Sequence, residues 1–209
     1  MKKILSLILA LSLCLCLGAT AFAAEIGTSG GSGTTPVSLT TTNNGIGGIG
    51  GEGGEGGDVT PTKLNVVVPT ALPMAMSDDG TVVTATDCRV INNSYGAVRI
   101  KSVTISAAND WHLTAFGDKS TLAGEKVDSN KLGFAMSIGG GEQVKTTSNA
   151  ATQVLISAPI TGCFMSGIGD TAHNVAAIDY AAIVTPLSSA VSGATVANIV
   201  IVVEWDTVS

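Results

Sequence analysis

Apolar positions along this chain come in short bursts separated by turn residues, and the densest burst lies last. Thr195 to Asp206 reads TVANIVIVVEWD, with Val196, Ile199, Val200, Ile201, Val202 and Val203 ahead of Trp205. β-Branched side chains suit a pleated surface, and so little polarity predicts a strand covered on both faces. About ten residues cannot span a bilayer as a helix, and Glu204 and Asp206 stop the run. The pattern predicts a central strand around which weaker ones assemble.

The weaker strands follow in order. Lys63 to Val68 ends at Pro69, and Leu72 to Met76 leads through Ser77-Asp78-Asp79-Gly80 into Thr81 to Ala85. Asp-Gly between apolar runs signals a hairpin, because both residues tolerate positive φ. Cys88 to Asn92 is extended, and Asn92 to Gly96 turns. In Ala97 to Ala108 the apolar register steps oddly from Val98 and Ile100 to Val103 and Ile105, which predicts a bulge near Lys101 and Ser102. Asn109-Asp110 turns the chain into Trp111 to Ala115. Phe116 to Ser129 reads as a loop, followed by strands at Leu132 to Ile138, Gln143 to Thr147 and Thr152 to Ala158, with Gly139 to Gly141 as a turn. Ala172 to Val184 has the alanine content of a helix, but alternation and its turn-rich surroundings make it a strand. Short strands with turn signals every eight to twelve residues predict an all-β fold, a single Greek-key-like β-sandwich.

Before this domain the pattern changes twice. Lys2 and Lys3, the apolar stretch Ile4 to Leu17, and Ala21-Phe22-Ala23 have the layout of a signal peptide, residues 1–23, cleaved after Ala23. Cys14 and Cys16 each follow leucine, which disfavours a lipoprotein. Residues 24–60 read as a Gly/Ser/Thr-rich linker holding half of the 26 glycines, with few side chains to build a core. The spelling GIGGIG at Gly45 to Gly50 lacks the flanking strand and helix of a dinucleotide site. Residues 61–209 form the domain.

Charge narrows the partners. Without Lys2 and Lys3 the 10 basic residues fall to 8 against 16 acidic ones, a balance of −8. That disfavours nucleic acid and anionic lipid, and suits a secreted or wall-facing protein. No membrane association is expected once the leader is removed.

Candidate chemistry is sparse. His112 and His173 are the two histidines, the carboxylates are scattered, and HExxH, GxSxG and P-loop spellings do not occur. We expect no enzyme and no cofactor. A calcium site at Asp78 and Asp79 is a weak alternative, with two carboxylates where the ion wants six or more oxygens. Cys88 and Cys163 permit a disulfide after export, or two buried thiols. Separated as they are, and without a neighbouring histidine, they make a poor zinc site.

The two tryptophans carry more. Trp111-His112-Leu113 is a literal W-x-L, and Trp205-Asp206-Thr207 places a second tryptophan in the last strand with threonine where leucine would complete the motif. This pairing resembles the WxL domain of surface proteins of low-GC Gram-positive bacteria. The resemblance implies non-covalent attachment to the cell wall through peptidoglycan or wall polysaccharide, with Trp111, Leu113 and Trp205 as binding candidates. On that reading Trp111 presents an exposed face to a sugar ring and Trp205 shapes the site from beneath. No LPxTG follows Trp205, so sortase attachment is not expected. More loosely, the exported all-β plan resembles camelysin-like biofilm fibre proteins. That implies self-association or contact with other surface proteins by strand addition, with the linker and Lys63 to Val68 as donor.

Overall fold

The computed structural model describes residues 23–26, 32–35 and 63–207. These residues are nearly all β, arranged in antiparallel sheets. The strands are β1 (Ala23–Ile26), β2 (Ser32–Thr35), β3 (Val66–Pro69), β4 (Met74–Met76), β5 (Val82–Thr84), β6 (Arg89–Asn92) and β7 (Val98–Ala107). After these come β8 (His112–Thr114), β9 (Lys131–Ile138), β10 (Val144–Lys145), β11 (Thr152–Ile156), β12 (Phe164–Met165), β13 (Val175–Val184) and β14 (Ala197–Trp205). A single helical turn, α1 (Ser120–Ala123), interrupts the expected loop and buries Leu122.

A 7-stranded sheet has the order β1-β3-β6-β13-β9-β10, with β8 also on β9. A 5-stranded sheet has the order β11-β7-β14-β2, with β12 also on β7. The strands β4 and β5 form the expected hairpin. Alternation puts one row of each long strand into a shared core. Ala176, Ile178, Tyr180 and Ala182 of β13 join Phe134, Met136 and Ile138 of β9. From the other sheet come Val98, Ile100, Val103 and Ile105 of β7 with Ile199, Ile201 and Val203 of β14. Within the ambiguous stretch Ala172 to Val184, residues Val175 to Val184 are thus strand, as their alternation indicates.

The odd step in β7 is a bulge. Opposite β14, Ser102 pairs with Val202 but Ile100 pairs with Val203, so Lys101 is the extra residue. Val98 and Ile100 on one side of it, and Val103 and Ile105 on the other, all reach the core.

One strand changes partners along the same edge. The first half of β9 pairs in parallel with β8, and its second half pairs antiparallel with β10. Thr146 closes the junction. Its hydroxyl donates to Thr114 O at 2.6 Å and accepts from Phe134 N–H at 3.0 Å, while its own N–H donates to Phe134 O at 2.8 Å. The residue is fully buried, so each of these groups needs its partner.

Tyr180 ties the β4–β5 hairpin to the large sheet. Its hydroxyl donates to Pro73 O and accepts from Ala85 N–H, and Thr84 Oγ1 donates to Tyr180 O at 2.9 Å. Burial, with the nearby Cys88 thiol second, holds the phenol well above its usual range. At the hairpin tip Asp79 accepts from Ser77 and from the Thr81 N–H and hydroxyl, and pairs with Lys119 at 3.2 Å. Those donors, Ser77 foremost, lower its pKa. Its oxygens are committed to hydroxyls and an ammonium, the opposite of a prepared calcium shell. The turn at Gly139 to Gly141 packs against Thr161 and Gly162 so closely that a Cβ on Gly139, φ +55°, would lie 2.4 Å from Gly162 O.

Two expectations need correction. The closing strand is covered on one face, not two: Ile199, Ile201 and Val203 are buried, while Val200, Val202 and Glu204 stay partly exposed. The expected linker, residues 24–60, begins with two strands, β1 and β2, whose main chains pair with β3 and β14. Residues 1–22 of the expected leader, and residues 27–31, 36–62 and 208–209, lie outside the described residues. Of the two alternatives open for Cys88 and Cys163, the structure has two separate buried thiols. Cys88 lies beside Tyr180 and its carbonyl accepts from Ile178, whereas the Cys163 carbonyl accepts from Ile100 of the other sheet. Burial raises both thiol pKa values, which makes them poor nucleophiles.

Candidate functional site

The W-x-L motif is built by strand alternation. Asn109, at φ 52°, donates from Nδ2 to Thr195 O at 2.8 Å, and Trp111 N–H reaches back to Ala108 O at 3.1 Å. This is the expected turn, and it starts β8 with Trp111 and Leu113 on one face and His112 on the other. Leu113 is fully buried and Trp111 packs on the same core. The outward residue is His112. Trp111 is therefore only partly exposed, and Leu113 is almost fully buried.

A recess of about 210 Å³ lies beside the motif, lined by His112, Leu113, Lys131 and Asn149. Lys131 enters it because β8 and β9 pair His112 with Lys131. The Lys131 ammonium is already paired with Glu125 at 2.8 Å.

Trp205 is elsewhere. In the β7–β14 ladder Trp205 faces Val98 and Ala197 faces Ala107. Trp111 follows the far end of that ladder, so eight strand steps, roughly 25–30 Å, separate the two ends. The three candidates Trp111, Leu113 and Trp205 do not form one site. Trp205, the last residue of β14, is only partly buried and packs against the core.

Around Trp205 the sheet carries charge. Glu204 accepts from Arg99 at 2.9 Å and Lys101 at 3.0 Å, and Arg99 also reaches Asp206 at 3.4 Å. Lys101 first, then Arg99, lowers the Glu204 pKa. Nearby, Phe164, Ser166, His173 and Asp206 line a smaller recess of about 140 Å³. His173 Nδ1 meets Asp170 Oδ2 at 2.8 Å, and this contact first of all holds the Asp170 carboxyl below its usual range.

Sequence reasoning missed the two N-terminal strands. Antiparallel β1 lies on β3 from Ala23 opposite Pro69 to Ile26 opposite Val66. Antiparallel β2 lies on β14 from Ser32 opposite Val202 to Thr35 opposite Ile199. One segment of thirteen residues thus adds a strand to both sheets. The glycine-rich residues 27–33 contain no apolar alternation; Thr34 and Thr35 were the faint signal. On β14 this cover spans four of nine residues, Ile199 to Val202.

Compared with protein-family models, curated proteins and solved structures, the chain gives no match. Among the described residues no helix is long and apolar enough to cross a membrane, and no group of three or more metal-ligating side chains occurs.

Proposed function

We propose that this chain is an exported, non-catalytic surface protein whose domain is a β-sandwich with Greek-key-like connections, and that it assembles into extracellular fibres or matrix by β-strand addition. The sandwich reading rests on one apolar cluster that draws on the inward rows of both large sheets. The observation that carries the function is the short N-terminal cover of β14. The most β-prone strand of the protein is flanked on one side by four residues, Ser32 to Thr35, that bring one glycine and no apolar side chain. A long apolar strand near a sheet edge is a template for another chain, and main-chain ladders of this kind are how strand addition gains affinity. The leader at residues 1–23 supports export to the cell surface.

The test uses the purified mature protein, begun near Ala24. Light scattering should show oligomers that grow with concentration, and electron microscopy should show ladders or filaments. A monomer at every concentration would overturn the assembly.

A second reading, non-covalent attachment to peptidoglycan or wall polysaccharide, is favoured by the recess beside the W-x-L motif, where His112, Lys131 and Asn149 offer polar groups next to apolar Leu113. Sedimentation of the intact protein with isolated Gram-positive walls, weakened by His112→Ala, would support it. Since Trp111 packs inward, His112 is the sharper probe.

A further inference from the structure

The segment that covers β3 and β14 is joined to the domain by far more chain than its position requires. Ile26 sits opposite Val66, the first residue of β3. Nine residues lead from Ile26 to Thr35, so Thr35 lies at most about 30 Å from Ile26. The chain nevertheless places residues 36–65 between Thr35 and Val66, about 30 residues with an extended reach of about 100 Å. Position alone therefore calls for roughly a third of that length.

The pairing is also of a kind that any copy can offer. Gly33 stands opposite Ile201, and Ser32, Thr34 and Thr35 complete the β2 ladder. It is a main-chain ladder of four rungs, with no cysteine in residues 23–35 to fix it covalently. Tethered binding depends on effective concentration. This is greatest when the tether matches the span, falls with roughly the −3/2 power of length beyond that, and vanishes when the tether cannot reach.

We propose that residues 24–35 of one copy exchange onto β3 and β14 of a second copy, and that the length of residues 36–65 sets the balance between the self-covered chain and the exchanged assembly. The proposal rests on the strand-addition reading above and names its donor, its two acceptor edges and its control. The occupant is a second copy of this chain because the same ladders are already formed by its own segment, and the excess reach is what lets that segment leave.

Three forms of the mature full chain test it: the intact tether, a form lacking residues 40–57, and a form joining Thr35 directly to Lys63. Light scattering across a concentration series reads the oligomeric state. Shortening from about 30 to about 12 residues should favour self-cover and raise the concentration at which oligomers appear by about four-fold. Direct joining leaves three residues, Lys63 to Asn65, between Thr35 and Val66, an extended reach of about 13 Å, and should give dimers or larger species where the intact chain is still monomeric. Oligomers insensitive to all three lengths would overturn tether control while leaving self-association standing. A monomeric intact chain with an oligomeric joined form would keep the inference and sink native assembly. If the joined form does not fold, intact copies carrying donor and acceptor dyes at residue 28 and near Val200 decide the matter. Transfer between copies that rises on co-incubation is expected, and its absence overturns exchange.

Discussion

β13 and β14 are adjacent strands in the chain, almost equal in length, and differ in what the sequence says of them. β13 is alanine-rich, with Ala176, Ala177, Ala181 and Ala182, and reads almost as easily as a helix; β14 is a run of isoleucine and valine. The two strands also find their partners differently. β13 pairs with β6 over its first three residues, Val175 to Ala177, and with β9 over the next seven, Ile178 to Val184, while β14 pairs with β7 from end to end and with β2 over four residues. Intrinsic β propensity measures how a residue fits a pleated surface, not how many neighbours its strand will have. Position in the sheet comes from the rest of the chain. Alanine is tolerated in β13 because every residue of the strand has a partner in β6 or β9, and small side chains admit the bulkier Phe134 and Tyr180, which stack at 6.0 Å.

If this contrast is right, inward residues of the two strands should matter alike, and outward ones little. Ile178→Ala in β13 and Ile201→Ala in β14, both almost fully buried, should each lower stability by about 2–5 kcal/mol in denaturant titration. Val200→Ala on the outer face should fall within about 0.5 kcal/mol of the parent. A Val200 effect as large as that of Ile201 would show a second covered face on β14 and erase the distinction.

Hydrogen exchange tests the flanks rather than the faces. Amides of β13 that face β9 should exchange only through global unfolding. Those of β14 that face β2 should exchange through local opening, at lower free energy and without loss of the remaining core. Equal protection on the two strands would mean that β2 holds its edge as firmly as β9 holds β13.

The smallest effect is electrostatic. Glu204 is held below the usual carboxylate range by Lys101 and Arg99, so the stability it adds is fully present above its unfolded value of about 4.3 and is lost as pH falls through the lower folded value. Because the cluster is partly exposed, the loss should not exceed about 1 kcal/mol. Glu204→Gln should flatten the acid limb of the stability profile between pH 2 and 5. An unchanged profile would remove the cluster from any role at that end of β14.

Much of the strand order of events was legible because alternation survives even in poor β-formers: the strand within Ala172 to Val184 resolved correctly on period rather than composition, and the double outward step at Lys101 and Ser102 located the bulge. What was not legible lacked a periodic signal. A helical turn of four residues is too short to show one, β12 has only Phe164 and Met165, and β1 and β2 pair through main chain that glycine and serine supply as well as any residue. The candidate site failed for another reason. Trp111, Leu113 and Trp205 were grouped by motif, and the motif is silent on which end of a strand each tryptophan occupies. Strand period did hold the information that Trp111 and Leu113 share a face, so that His112, between them, points outward.

The bulge in β7 makes that strand unusual in how it would tolerate a change in length. Val98, Ile100, Val103 and Ile105 reach the core although the chain between Ile100 and Val103 is one residue longer than alternation allows. Loss of either Lys101 or Ser102 would leave a strand of strict period two with the same inward residues, whereas loss of Thr104 would bring Val103 and Ile105 together and turn one of them outward. β7 therefore carries a built-in spare position. Chains descended from a common ancestor with this one should vary in length there before they vary anywhere else along the strand.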